Sequence, residues 1–193
     1  MGTQLVRRSY LRIFQFFLRL NALSHSYHIL LVLLIGGSIG KNKEEMRELL
    51  QFVMPKLSVT EKPIHLLGMG DTESIDFGVT MGVDTFDSSF PTRAGRHGTL
   101  FTSNGPLKIE KQQHAEQFTS RIDNNCDCYT CQHYSVAYLH HLFKVDEPTC
   151  GLLGTIHNLR WLIKRMENIR VNRIHTQAIK RFPKIIFKMK NSV

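Results

Sequence analysis

An α/β fold built on parallel strands is predicted by three observations. Short apolar runs alternate with stretches of helical periodicity, and each run ends in glycine or aspartate. The order is strand, helix, strand, helix, strand, which needs right-handed crossovers and so sets successive strands parallel.

The elements follow in chain order. Residues 29–35 form a continuous apolar run ended by Gly36-Gly37, the pattern of a strand buried on both faces. Met46, Leu49, Leu50, Val53 and Met54 recur at helical spacing and predict a helix over 44–54 with one apolar stripe. Pro55 and Pro63 punctuate the return. A second strand is expected at 64–67, ended by Gly68-Met69-Gly70-Asp71, then a helix over 72–80 and a third strand at 83–86. Further on, 136–143 is an apolar helical run, and a basic helix is expected over 158–170, with His157 just before it. No internal repeat or low-complexity tract is visible.

Composition bounds the function. At 193 residues, 42% hydrophobic and 21% charged, the chain reads as one globular domain and not as a disordered segment. Four cysteines are too few for a disulfide scaffold, and the longest apolar run is too short to span a bilayer. A soluble protein of the cytoplasm, without stable membrane insertion, is expected. The net charge of +9 is unevenly divided. Six basic residues and no acid occupy 1–43, and ten basic residues face Glu167 alone in 160–193, while 44–159 is mildly acidic. Cationic ends suit a polyanion such as nucleic acid, although a solvated helix face has the same composition. Residues 1–28 mix arginines with Phe14, Phe16, Phe17 and several leucines. A transit peptide has a similar make-up, but no small-residue cleavage site stands out and Arg19 interrupts the apolar stretch, so 1–28 is read as an atypical N-terminal segment.

Two features carry chemistry. Ligands of parallel α/β folds sit outside the carboxyl ends of the strands. Asp87 stands there, directly before Ser88-Ser89-Phe90-Pro91-Thr92-Arg93; a helix cap or a turn residue would occupy the same place. Glycines at the other two strand ends also have a structural use, since tight turns need positive φ. The second feature is Cys126-x-Cys128-x-x-Cys131, three soft ligands on one turn. A fourth ligand completes a closed tetrahedral site, which is structural rather than catalytic. The candidates are His133, His140, His141, Cys150 and His157, and the competing reading is three reduced cysteines packed as small apolar residues.

Several segments, in the same order, resemble the tRNA-guanine transglycosylases, also called queuine tRNA-ribosyltransferases. They are Gly82-Val83-Asp84-Thr85-Phe86-Asp87, Pro91-Thr92-Arg93-Ala94-Gly95-Arg96-His97-Gly98, Cys126-Asp127-Cys128-Tyr129-Thr130-Cys131, Ala137-Tyr138-Leu139-His140-His141-Leu142 and Thr155-Ile156-His157-Asn158-Leu159. The resemblance implies a partial (β/α)8 barrel, its last three parallel strands and helices lying in 29–110. An inserted zinc-binding subdomain and a basic C-terminal helix would fill 111–193. It implies exchange of the wobble-position guanine of tRNA for a 7-deazaguanine, queuine or its precursor. Asp87 matches the nucleophile that forms a covalent ribosyl-enzyme, the logic of retaining glycosidases with a heterocycle in place of water. That role requires an ionised carboxylate, so the site should not raise the pKa of Asp87. Cys126, Cys128, Cys131 and His157 match the ligands of one structural Zn²⁺. Gly37 matches a glycine lining the base pocket. Gly68, Met69, Gly70, Asp71, Thr72, Glu73 and Ser74 match one RNA-contacting loop. Thr92, Arg93, Ala94, Gly95 and Arg96 match another, where the arginines suit phosphate or guanine edges. Tyr129 could stack on a base or pack in the core.

The resemblance covers about residue 33 to the last helix. A full barrel takes about 250 residues, and the family's first half, with its general acid/base aspartate, has no counterpart within the sequence. The glycine stretch at 36–40 is one residue shorter than is common, and Ser88 stands where many members have cysteine. Two expectations follow: a transglycosylase, active only with the missing half supplied by another chain or a corrected reading frame, or a catalytically incomplete, zinc-stabilised remnant that binds tRNA or dimerises. A homodimer or a complementing chain is the expected protein partner.

Overall fold

Three strands, β1 (Leu33–Ile35), β2 (Ile64–Leu66) and β3 (Thr85–Phe86), form a parallel sheet in the order β1-β2-β3. The register sets Leu33 beside Ile64, His65 beside Thr85 and Leu66 beside Phe86. The structure is a computed structural model that describes residues 33–36, 43–57 and 63–181, with side chains at 35–36, 43–57 and 63–172. The expected strand residues 29–32, the segment 1–28 and Gly37 lie outside the described residues.

Helix α1 (Lys43–Leu57) and helix α2 (Thr72–Met81) are the crossovers. The α1 stripe runs Met46, Leu50, Met54 and on to Leu57, all buried against Ile64, Leu66 and Val83. The helix therefore continues through Pro55, where the sequence pattern had placed its end. A proline near a C-terminus costs one intrahelical hydrogen bond, while burying one more leucine is worth about 1.5–3 kcal/mol. Asp71 caps α2, accepting from Ser74 N at 3.2 Å and from Ser74 Oγ at 2.6 Å. Gly82 (φ +96°) closes the helix in the left-handed region, its N–H bonded to Gly78 O and Val79 O.

The third strand is shorter than its predicted span, 83–86. Val83 is fully buried, but the Ile64 N–H donates to the Asp84 carboxylate at 2.9 Å while Asp84 N–H donates to Ile64 O at 2.9 Å. A side chain thus replaces one ladder carbonyl, and regular pairing starts at Thr85.

Beyond the sheet, α3 (Phe90–Arg96) leads into a hairpin of β4 (Thr99–Leu100) and β5 (Leu107–Lys108), a 3₁₀ turn (Gln112–His114), and helices α4 (Tyr129–His133), α5 (Val136–Lys144) and α6 (Thr149–Arg181). A second core joins Leu100, Ile109, Ile122, Val136, Leu139, Leu142 and Leu153 to the four cysteines. Two expectations are corrected here. Residues 92–96 are helical and not a loop, because Pro91 sits in the first turn, where its missing N–H costs nothing. Helix α6 begins at Thr149, nine residues before the predicted start, so His157 lies within it.

Gly151 and Gly154 argue against a helix in isolation; tertiary contact explains them. A Cβ on Gly95 would stand 2.7 Å from Gly154 C and Thr155 N, and one on Gly154 would stand 2.8 Å from Gly95 O. The backbones of α3 and α6 touch there. Asn158, fully buried on the same helix, accepts from Phe101 N at 2.9 Å and donates to Pro91 O at 3.0 Å and Thr99 O at 2.9 Å. Helix α6 is the clamp that holds α3 against the rest. Gly95→Ala should therefore wedge the crossing and cost about 1–3 kcal/mol, read by urea unfolding; an unchanged midpoint would refute the close approach.

Candidate active site and metal centre

The carboxyl ends of β2 and β3 bring Asp87, His65 and Gly68 together. Successive strand residues alternate between faces, so Thr85 and Asp87 share one face, and the register sets His65 beside them. His65 Nε2 lies 3.0 Å from Asp87 Oδ1, and Gly68 N–H donates to the same oxygen at 3.1 Å. The other imidazole nitrogen, Nδ1, is 2.7 Å from Thr85 Oγ1. Gly68 has φ +75°, the left-handed turn that aims its N–H at the carboxylate. The Asp87 side chain is 58% exposed, open to a ligand as large as RNA. Its pKa is held below the ordinary carboxylate range, first by the Gly68 N–H and then by His65. The group is therefore a carboxylate near neutral pH.

The remaining expected RNA contacts divide by burial. Thr92 is half-buried, with Oγ1 donating to Ser89 O at 3.0 Å. Arg93 and Arg96 are exposed and make no ion pair among the described residues. Ala94 and Gly95 face α6 and are buried. In the other loop Gly68 is exposed, Met69 half-buried, and Gly70 buried against Ser88. Ser74 is buried and spent on the α2 cap. Thr72 is half-buried, while Asp71 and Glu73 are committed to cations: Lys43 Nζ reaches Asp71 at 3.1 Å and Glu73 at 2.7 Å, and Arg47 pairs with Glu73. Those pairs neutralise acids that would otherwise repel a phosphate. Gly37 lies outside the described residues.

Cys126, Cys128, Cys131 and His157 converge, all buried, with their ligand atoms within 4.8 Å of one another. His157 Nδ1 stands 3.5 Å from Cys128 Sγ and 3.3 Å from Cys131 Sγ. Four donors around one ion with bonds near 2.0–2.3 Å are about 3.5–3.8 Å apart, so the set is nearly in place. The imidazole is turned for the purpose: Nε2 donates to Phe101 O at 2.7 Å, which leaves the Nδ1 lone pair aimed at the thiols. No disulfide joins the cysteines. Without a cation the three sulfurs cannot all ionise. Cys128 is pushed down, first by its hydrogen bond from Cys131. Cys131 is pushed up by its hydrogen bond to Cys128 and by burial, and Cys126 is pushed up by burial. A bound cation would relieve that conflict, so the donor set fits a metal ion. Among the other candidates, His140 is buried with Nδ1 on Ile109 O at 2.7 Å, His133 stacks on Tyr129, and Cys150 donates to Leu139 O.

The sequence gives no prominence to His65 or Thr85, nor to the braces of the metal turn. Arg160 grips Asp127 with Nε and Nη2 at 2.8 and 2.7 Å. Asp123 accepts from Ser103 N at 2.7 Å, Asn125 N at 2.8 Å and Trp161 Nε1 at 3.3 Å. Both tie the cysteine turn to α6. Among the described residues no helix is long and apolar enough to cross a membrane.

A family model described as Queuine tRNA-ribosyltransferase matches residues 15–191, starting inside the N-terminal segment read as atypical. The chain is 52% identical over 136 residues to a queuine tRNA-ribosyltransferase of Protochlamydia amoebophila, covering 70% of this chain and 35% of that protein. It is 48% identical over 137 residues to one of Chlamydia felis, covering 70% and 36%. Against one of Blochmanniella pennsylvanica it is 44% identical over 160 residues, covering 82% and 43%. The chain thus spans well under half the length of these curated relatives. With the match running through Asp87, the cysteine turn and His157, the chain belongs to the queuine tRNA-ribosyltransferase family.

Proposed function

We propose that this chain carries the nucleophile and the metal-braced half of a tRNA-guanine transglycosylase, as part of a (β/α)8 barrel whose other strands stand outside the described residues. The observation that supports it best is Asp87: ionised, exposed at a strand tip, held by Gly68 and His65, and followed at once by α3 with its two exposed arginines. In this reading a lone pair of the carboxylate attacks C1′ of the wobble ribose as the C1′–N9 bond breaks, and the electron pair leaves with guanine. The incoming 7-deazaguanine then attacks C1′ through its own nitrogen, and the ester bond returns its pair to Asp87. The departing base gains one proton and the incoming base loses one, so the exchange is proton-neutral. Gly37 would line the base pocket, and queuine and its precursor are both suitable acceptors.

The soft, closed Cys126, Cys128, Cys131 and His157 set suits Zn²⁺, which would serve as a structural cross-link between the cysteine turn and α6. Arg93 and Arg96, with Gly68, Met69 and Thr72 nearby in the second loop, would grip the RNA backbone in a cytoplasmic protein. Arg93→Ala with Arg96→Ala should weaken tRNA binding and lower its slope against log salt by about one unit per contact; an unchanged slope would remove both arginines from the interface. A homodimer is part of the proposal. Tyr129, Tyr134 and Tyr138 form an aromatic strip, with Tyr129 and Tyr138 exposed, and sedimentation equilibrium decides the point, since a monomer would exclude it.

The test is incorporation of labelled guanine into tRNA by the purified protein, alone and with the remaining barrel strands supplied in trans. A second reading is a zinc-stabilised unit that binds tRNA without exchange, since the core around the cysteines shares no residue with the core of the sheet. Binding without exchange under either condition would select it.

A further inference from the structure

We propose that His65, braced by Thr85, is a positioning residue that clamps Oδ1 of Asp87 and so selects Oδ2 as the attacking oxygen. This rests on the reading of Asp87 as the nucleophile. A carboxylate only accepts, so the Nε2 at 3.0 Å must carry the proton. In the neutral ring Nδ1 then has only a lone pair, which requires Thr85 Oγ1, at 2.7 Å, to donate to it. The carboxylate therefore sets the tautomer, and the hydroxyl, donating to Nδ1, holds the ring orientation. His65 is held between strands, its side chain only 18% exposed, whereas the Asp87 carboxyl is 58% exposed.

The consequence concerns both half-reactions. Gly68 N–H and His65 Nε2–H both lie on Oδ1, which leaves Oδ2 as the oxygen these two donors do not hold. When Oδ2 bonds to C1′, Oδ1 becomes the ester carbonyl and keeps the same two donors. When the second base displaces the ester, those donors stabilise the carboxylate as it leaves. The clamp serves a group that must be nucleophile first and leaving group second, and preorganised donors of this kind act without reorganisation during the step.

The test uses the purified protein in two arms. In the first, nitrogen and carboxyl-carbon NMR read the His65 tautomer and the Asp87 titration. The wild-type ring should be the Nε2–H form and should stay so in Thr85→Val with a less fixed orientation, and His65→Phe should raise the Asp87 midpoint. An Asp87 midpoint unmoved by His65→Phe, in a variant whose amide spectrum is otherwise native, overturns the clamp whether or not the chain is active. In the second arm, guanine exchange by His65→Phe should fall by on the order of 10²-fold in kcat, with KM for tRNA little changed and partial rescue by His65→Gln, which restores a donor. Full kcat in His65→Phe overturns the proposal. Undiminished exchange in Asp87→Asn instead overturns the underlying nucleophile reading, so the two failures are distinguishable.

Discussion

Stripping the metal from the folded protein, or replacing His157 by alanine, is expected to unfold the C-terminal half. The three sulfurs are buried in the same core as Leu139, Leu142 and Leu153, so the ligands are part of the packing and not an appendage. Binding to such a set is worth on the order of 10 kcal/mol in apparent free energy, comparable with the whole stability of a domain. His157→Ala would also leave Phe101 O without its buried donor. Chelator should release one ion per chain, abolish the cooperative thermal transition of α4–α6 and expose the four cysteines to thiol reagents. The core of Met46, Leu50, Leu66 and Val83 shares none of these ligands and should be less affected. A melting curve indifferent to chelator would mean that the cysteines are only small apolar residues.

The largest effect on activity is expected at Asp87. Asp87→Asn keeps the shape but loses the anion, and it should remove base exchange entirely while leaving tRNA binding within a few-fold of wild type. The pH dependence has a definite sign. Exchange needs the ionised form, and the Gly68 N–H and His65 hold the Asp87 pKa down in the fold. Asp87 therefore keeps its charge at pH values where a free aspartate, with a pKa near 3.9, would already be losing it. An acid limb centred above about pH 5 would belong to another group. Exchange by the wild-type protein measured from pH 4 to 8 would check this, and an acid limb above about pH 5 that coincides with the Asp87 carboxyl titration read by NMR would contradict it.

Much of this was legible in the sequence, for identifiable reasons. The strand-helix alternation placed Asp87 at a strand tip because a buried parallel strand must end where polar residues resume. The cysteine spacing was legible because thiols this close on one turn have few structural uses. Element boundaries were harder. Gly151 and Gly154 weaken a helix considered alone, and only the contact with Gly95 explains why α6 starts at Thr149. The loop expected at 92–96 came from the resemblance, and only the packing of Gly95 on Gly154 shows the helix α3 there. Asp84 shortened β3 because its carboxylate accepts the Ile64 N–H in place of a ladder carbonyl, which no periodicity reveals. His65 escaped notice because its role depends on strand register. Alternation puts Thr85 and Asp87 on one face, but only the pairing of β2 with β3 sets His65 beside them. Ser74, Ala94 and Gly95 fall within matched RNA-contacting segments yet are buried, since a segment-level match cannot separate the residues that touch a ligand from those that hold the segment in place.

The most direct measurement is mass spectrometry of the protein after incubation with tRNA and a denaturing quench, with the acceptor base withheld. A ribonucleotide-linked peptide containing Asp87, absent from Asp87→Asn and lost when the acceptor base is added before the quench, is the predicted result. Base exchange with no such adduct, or an adduct on any other side chain, would contradict the account.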